Sequence, residues 1–296
     1  MSPAPPGAEA RPWQETREPL PGRGAGGEGE AVIQLTTNLC DPLLELVHNN
    51  AAPIDAVEVG PWFSVQQIRD YRHMLPGLPF YFHGGDLIDR VGVIPGAVSS
   101  IAAYLHCTQS PWISMHITLW LPGMVRLMLR RGWRMPRPNP ERATQRFIRQ
   151  VRKLARSIPV PVLLENMDPL PFAGYDFEVQ TGRITHVLEG TECGLLLDIG
   201  HVRVSAAALR VDVLDYLSDL PLDRVVQIHV SGPRMRGGRL VDAHESLQEP
   251  DYALLDFVLE RARPQVVTLE YIRQRVALQE QLCRLRDVVD ARNASL

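Results

Sequence analysis

The sequence predicts an α/β chain folded as one (β/α)8 barrel. Short apolar runs alternate with longer amphipathic ones from Ala31 onward, the pattern of parallel strands joined by crossover helices. Eight such alternations fit within one domain of this length, as a closed barrel requires. The GxGxxG turn of an open dinucleotide-binding sheet is absent after the first strand.

Met1–Glu30 is rich in Pro, Gly, Ala and charge and lacks the apolar stretch of a signal peptide. It is expected to be a disordered tail, with residues 31–296 forming a single domain. Strands are predicted at Ala31–Thr36, Asp55–Val59, Pro79–Phe82, Trp112–His116, Val160–Glu165, Gly194–Asp198, Arg224–His229 and Gln265–Glu270, each a short apolar run. Apolar residues near helical spacing predict helices at Gln66–Leu75, Pro95–Cys107, Glu141–Ser157, Asp212–Leu220, Tyr252–Arg261 and Gln274–Val289. The other connections are expected to be mostly helical, except for an extended loop after the seventh strand.

Of the 296 residues, 45% are hydrophobic and 22% charged, the balance of a globular protein. No run of about 18 apolar residues occurs, so no membrane span is expected. A net charge of −3 gives no global attraction to nucleic acid or membrane. Lys153 is the only lysine, so arginine enrichment by itself says little. Cys40, Cys107, Cys193 and Cys283 form no CxxC pair and are expected to be reduced, buried thiols of a cytoplasmic protein. Cys193, just before a predicted strand, could lie near a site. The segment Leu121–Arg156 carries ten arginines and Lys153 against the single acid Glu141. It reads either as a surface for an acidic peptide, a partner protein or a phosphate backbone, or as a solvated helix face.

The chemistry lies at the strand ends. Strand three runs into His83, strand four ends at His116, strand five at Glu165, strand six at Asp198 with His201 one turn on, strand seven at His229 and strand eight at Glu270, while Asp242 and His244 lie in the loop after strand seven. In a (β/α)8 barrel these ends converge on one mouth. Nine converging imidazoles and carboxylates would repel one another or compete for protons unless bound cations neutralised them. Asp242 and His244, two apart in an extended loop, share a side and can grip one ion. Nitrogen and oxygen donors without thiolate suit zinc, iron or manganese, and the abundance of carboxylates points to bridging and more than one ion. The cluster itself is the catalytic element, with no separate acid or base assigned. Glu58, Asp86, Asn166 and Glu245 are read as supporting positions, Glu58, Asp86 and Glu245 with the further option of direct ligation. His48, His73, His106 and His186 lie away from strand ends and are read as surface or packing residues.

The order of these nine residues resembles the ligand set of endonuclease IV, a trinuclear zinc enzyme on a xylose isomerase-like barrel. The surrounding words resemble more closely the multinuclear non-heme iron-dependent oxidases that modify ribosomally made peptides, as in methanobactin biosynthesis: VEVGPWFS, FHGGDL, VPVLLENM, GLLLDIGHVRVSA, DRVVQIHVSG, VDAHE and TLEY. The resemblance runs from about Val57 to Tyr271. It implies two or three irons of mixed ferrous and ferric state, dioxygen as co-substrate, a precursor peptide modified at a residue such as Cys, and a partner protein that recognises the leader. It also implies one ion on His83, His116 and Glu165, a second on Glu165, Asp198, His229 and Glu270, and a third on His201, Asp242 and His244. Two departures stand out. SMHI replaces the family's SEHL, so that Met115 removes a carboxylate, and DIGH stands where many members have a DxNN-like stretch. Three other readings remain: a zinc phosphodiesterase acting on abasic DNA, a sugar isomerase or epimerase (whose lysine-based forms the near-absence of lysine weakens), and a binding protein on a decayed barrel.

Overall fold

The computed structural model describes residues 32–88, 92–119, 139–169 and 176–295. Met1–Glu30, read as a tail, and residues 121–138 of the Arg-rich segment lie outside them.

Eight parallel strands close into a barrel in the order β1-β10-β7-β6-β5-β4-β3-β2. They are β1 Gln34–Asn38, β2 Ala56–Val59, β3 Phe80–His83, β4 Ile113–His116, β5 Val162–Glu165, β6 Gly194–Asp198, β7 Val225–Val230 and β10 Val266–Leu269. The helices are α1 Asp41–His48, α2 Val65–Met74, α3 Ala97–Thr108, α4 Pro140–Ala155, α5 Thr181–Thr191, α6 Ile199–Leu209, α7 Val213–Ser218, α8 Glu249–Leu259 and α9 Arg275–Asn293. Among the described residues no helix is long and apolar enough to cross a membrane.

The first strand lies further along the chain than Ala31–Thr36. Its ladder begins where Gln34 N–H donates to the Gln265 carbonyl and runs to Asn38, because β10 offers partners only from there on. The loop predicted after strand seven is a hairpin of β8 Gly232–Arg236 and β9 Arg239–Glu245, paired antiparallel outside the barrel. Its tight turn uses Gly237 and Gly238, both at positive φ.

Side chains alternate across each strand. Outward residues such as Leu35, Val57, Phe82, Met115, Leu164, Leu197, Ile228 and Leu269 join the helices in the main core. Inward residues near the strand starts form a second cluster of Ala56, Tyr81, Trp112, Leu163, Leu196, Val226 and Val266 that plugs the lumen. Met115 is therefore on the wrong side of β4 to have offered the site a carboxylate. Its neighbours Ser114 and His116 face inward instead.

The helix α4 turns Phe147, Ile148, Val151 and Leu154 to the core and leaves Arg149, Arg152, Lys153 and Arg156 in solvent, as expected of an amphipathic helix. Two thiols depart from expectation: Cys40 is partly exposed and Cys283 exposed, while Cys107 and Cys193 are buried and all four are free. Cys193 precedes β6 and so sits at the end of the barrel opposite the mouth. His48, His73, His106 and His186 are exposed, as predicted.

Candidate metal centre

The inward alternation that plugs the lower lumen delivers the polar set one step higher. Ala56 is followed two residues on by Glu58, Tyr81 by His83, Leu163 by Glu165, Leu196 by Asp198, and Ser114 by His116. On β7 Gln227 leads to His229, and on the last barrel strand Val266 and Thr268 lead to Glu270, the residue just beyond it. In-register pairing then sets His116 beside Glu165 and Asp198 beside His229.

These side chains meet. The Nε2 atoms of His83 and His116 are 3.0 Å apart, and each lies 3.5 Å from Glu165 Oε2. The other Glu165 oxygen is 3.5 Å from His201 Nδ1 and 3.8 Å from His229 Nδ1. His229 Nδ1 is 3.2 Å from Glu270 Oε1, and His244 Nδ1 is 3.6 Å from Glu270 Oε2. His244 Nε2 and His201 Nε2 lie 2.5 and 3.8 Å from Asp242 Oδ2. His201 Nδ1 is 3.7 Å from Asp198 Oδ2. All nine predicted ligands thus join one chain of close approaches with Glu165 at its centre. Ligating atoms cluster in three triads, His83–His116–Glu165, Glu165–Asp198–His201 and Glu58–His229–Glu270. The first is the set expected for one ion, whereas His201 groups with Glu165 and Asp198 as well as with Asp242.

The buried atoms fit a cation. Glu165 Oε2, Asp198 Oδ2 and His229 Nδ1 are buried and have no hydrogen-bond partner. Leaving such a group unmet costs about 1–3 kcal/mol, and all three point into the cluster. The remaining ring nitrogens are held from outside, as metal-bound imidazoles are: His83 Nδ1 by Ser114 Oγ at 2.9 Å, His116 Nδ1 by Asp86 Oδ1 at 2.9 Å, and His229 Nε2 by Glu58 Oε2 at 3.1 Å.

The family model for the RiPP precursor modification enzymes MbnB/TglH/ChrH matches residues 38–290. The chain belongs to this family. A UPF0276 protein of Shewanella oneidensis is 30% identical over 224 residues, covering 72% of this chain and 77% of that protein. A UPF0276 protein of Rhizobium meliloti is 31% identical over 143 residues, so the match spans 46% of each, about half of that relative's length. The fold is that of xylose isomerase-like barrels. A xylose isomerase domain-containing protein of Salmonella typhimurium superposes with a TM-score of 0.57 at 13% identity, covering 89% of this chain and 99% of that one. The 3-keto-D-glucoside 4-epimerase of E. coli gives 0.55 at 15% identity, covering 86% and 99%.

In this MbnB/TglH/ChrH-family protein, charge is distributed unevenly over the cluster. Burial, with the neighbouring His116 and His229, holds His83 well below the usual imidazole range. Burial also works against charge on His201 and His229. Asp198 overrides it at His201, and Glu58 with Glu270 overrides it at His229, so both stay well above their ordinary values. Burial raises Glu165, and it raises Asp198 to about 7. Against burial, the neighbouring imidazoles of His201 and His244 hold Asp242 low, and that of His229 holds Glu270 low.

Glu58 accepts from Gln227 Nε2 at 2.6 Å and Asn38 Nδ2 at 3.1 Å, and Trp112 Nε1 donates to Gln227 Oε1 at 2.9 Å. Asn166 clamps the Asp198 backbone on both sides, and its carbonyl meets His201 Nδ1 at 2.9 Å. Glu245 does not join the cluster: it pairs with Arg236 and Arg273 at 3.2 and 3.3 Å. Sequence reasoning missed Ser114, Gln227 and Ser231, whose hydroxyl donates to Asp242 Oδ1 at 3.1 Å. It also missed Asp168, whose carboxyl burial raises against the pull of His201. Period-two alternation below each ligand was the signal available for Ser114 and Gln227. Ser231 and Asp168 lie beyond the strand ends, where alternation gives no guide.

Proposed function

We propose that the chain is a multinuclear non-heme iron oxidase that uses dioxygen to modify a ribosomally made precursor peptide, with cysteine the favoured target and a leader-binding protein as partner. The observation that carries this reading is the convergence of three unsatisfied buried atoms, on Glu165, Asp198 and His229, at the mouth of a barrel in a peptide-modifying family. His83, His116 and Glu165 would hold one ion, and Glu165 would bridge to a second held by Asp198, His229 and Glu270. Asp242 and His244, with His201, would hold a third. Bound iron supplies the redox chemistry and a Lewis acid for a thiolate.

The chain's own part is orientation and exclusion. Ser114, Asp86 and Glu58 fix the donor faces of His83, His116 and His229. The apolar plug from Ala56 to Val266 closes the lumen below the cluster, which leaves the mouth as the open side for water and peptide. Asp168 follows β5 at the mouth, where burial raises its carboxyl above the ordinary range against the pull of His201. The place of action in this reading is the cytoplasm.

The deciding measurement is metal content after anaerobic purification, with Mössbauer spectroscopy on iron-enriched protein. Two or three coupled irons per chain, and dioxygen uptake that depends on a Cys-bearing precursor peptide, are expected. Zinc at that stoichiometry, with iron not retained under iron-rich expression, would replace the oxidase reading with hydrolytic chemistry.

A further inference from the structure

Trp62 follows β2 at the mouth of the barrel and is 53% exposed, yet its ring is not placed at random. Its centroid lies 6.4 Å from that of His83, tilted by 43°, and 6.3 Å from that of Phe63. The ring lies across the backbone of Gly60. A Cβ there would come within 2.0 Å of the indole Cζ3, so any other residue at position 60 would push the indole away. The chain therefore keeps a bare backbone at Gly60 and holds a large aromatic face open to solvent beside a candidate ligand. A surface tryptophan with no role needs no such berth, and burying it would stabilise the fold. Two other large exposed apolar residues stand on the same end of the barrel, Ile272 after β10 and Met235 on the hairpin. The exposed cations of that rim, Arg236, Arg239 and Arg273, would repel a cationic guest.

We infer that Trp62 is a substrate-positioning platform: its exposed face receives an aromatic side chain of the peptide next to the residue that reacts, seating that residue over the His83–His116–Glu165 triad. This inference rests on the peptide-modifying reading above and adds a sequence preference to it. Ring-on-ring contact of this kind is worth roughly tenfold in affinity.

The test is calorimetric titration of the anaerobic, iron-loaded full chain with capped dipeptides joining Cys to Phe in either order, against Cys–Ala counterparts. At least one Phe peptide should bind roughly tenfold more tightly than its Ala partner. Trp62→Ala should abolish that ratio, Trp62→Phe should keep most of it, and Gly60→Ala should reduce it by displacing the ring, all with unchanged iron content. Binding of the Ala peptides with no Phe preference, or a preference that survives Trp62→Ala, would overturn the platform and leave the oxidase reading standing. Failure of every cysteine peptide to bind the iron-loaded protein would overturn the platform, whereas the oxidase reading falls on its own test, if the protein retains no iron or takes up no dioxygen with a Cys-bearing precursor peptide.

Discussion

His83 and His116 face each other Nε2 to Nε2 at 3.0 Å, while Ser114 and Asp86 hold their opposite nitrogens. With each Nδ1 carrying the proton toward Ser114 or Asp86, both Nε2 lone pairs would face one point beside Glu165, where one cation could take both. Replacing either with Ala should remove at least one ion per chain, read by elemental analysis, while the far-ultraviolet circular dichroism stays native. Full metal content in both variants would refute the assignment.

Glu58 and Asp86 touch ligands from outside. Glu58→Gln and Asp86→Asn keep the shape but weaken the hold on His229 and His116, and should lower metal affinity by about 10- to 100-fold in chelator competition. Glu245→Gln, at a position bound to arginines away from the cluster, should leave affinity unchanged.

Without metal, the cluster should lose stability as pH rises. Burial raises Asp198 from 3.8 to about 7 in the fold, so the unfolded chain sheds that proton first and the folded state is penalised progressively between those values. His244 acts in the same direction at higher pH. Burial opposes its charge, but Asp242 and Glu270 raise it from 6.5 to about 9, so the stability gained from its protonated form is lost as pH climbs through that window. Added metal displaces these protons. The rise in Tm on metal addition should therefore be larger at pH 8 than at pH 5. An equal rise at both would count against proton-coupled loading.

Gly200, in the first turn of α6, leaves no room for a side chain: a Cβ would lie 2.1 Å from Ser231 Oγ. Gly200→Ala should destabilise the protein by about 1–3 kcal/mol and weaken the grip on Asp242 by turning the hydroxyl aside. The double variant Gly200→Ala/Ser231→Ala should recover most of the stability but not metal affinity, a non-additivity that thermal and chelator titrations can separate.

The barrel and its ligand-bearing strand ends were legible because period-two alternation and apolar runs survive in the sequence. The glutamate of LLENM and the histidine of VQIHVSG sit where that pattern places them. Helix α6 was expected only as one of the helical connections, without bounds: Ile199, Val202, Val204 and Ala206 bury it on more than one face, which erases the one-sided stripe that marks a surface helix. Its start is fixed by Asp198, whose carboxylate accepts from His201 N–H at 2.7 Å, so one residue is both cap and candidate ligand. The hairpin was legible as an extended stretch but not as a pair of strands. Gly237–Gly238 is a hairpin turn signal, but β8 opens with Gly232–Pro233 and carries Arg at alternate positions, not the apolar rhythm of a strand.

That hairpin separates two kinds of inheritance. Seven of the nine candidate ligands come from the barrel and the helix that caps it, where the closed hydrogen-bond ring leaves no edge to loosen. Asp242 and His244 come from an appendage that no barrel strand pairs with, and His244 sits there at a φ of 45°, a strained backbone for a side-chain-bearing residue. On the three-ion proposal, lengthening, trimming or replacing the appendage would change how many cations the mouth could hold without disturbing the barrel beneath. On that proposal, nuclearity would be set by one short ribbon and not by the barrel that carries it.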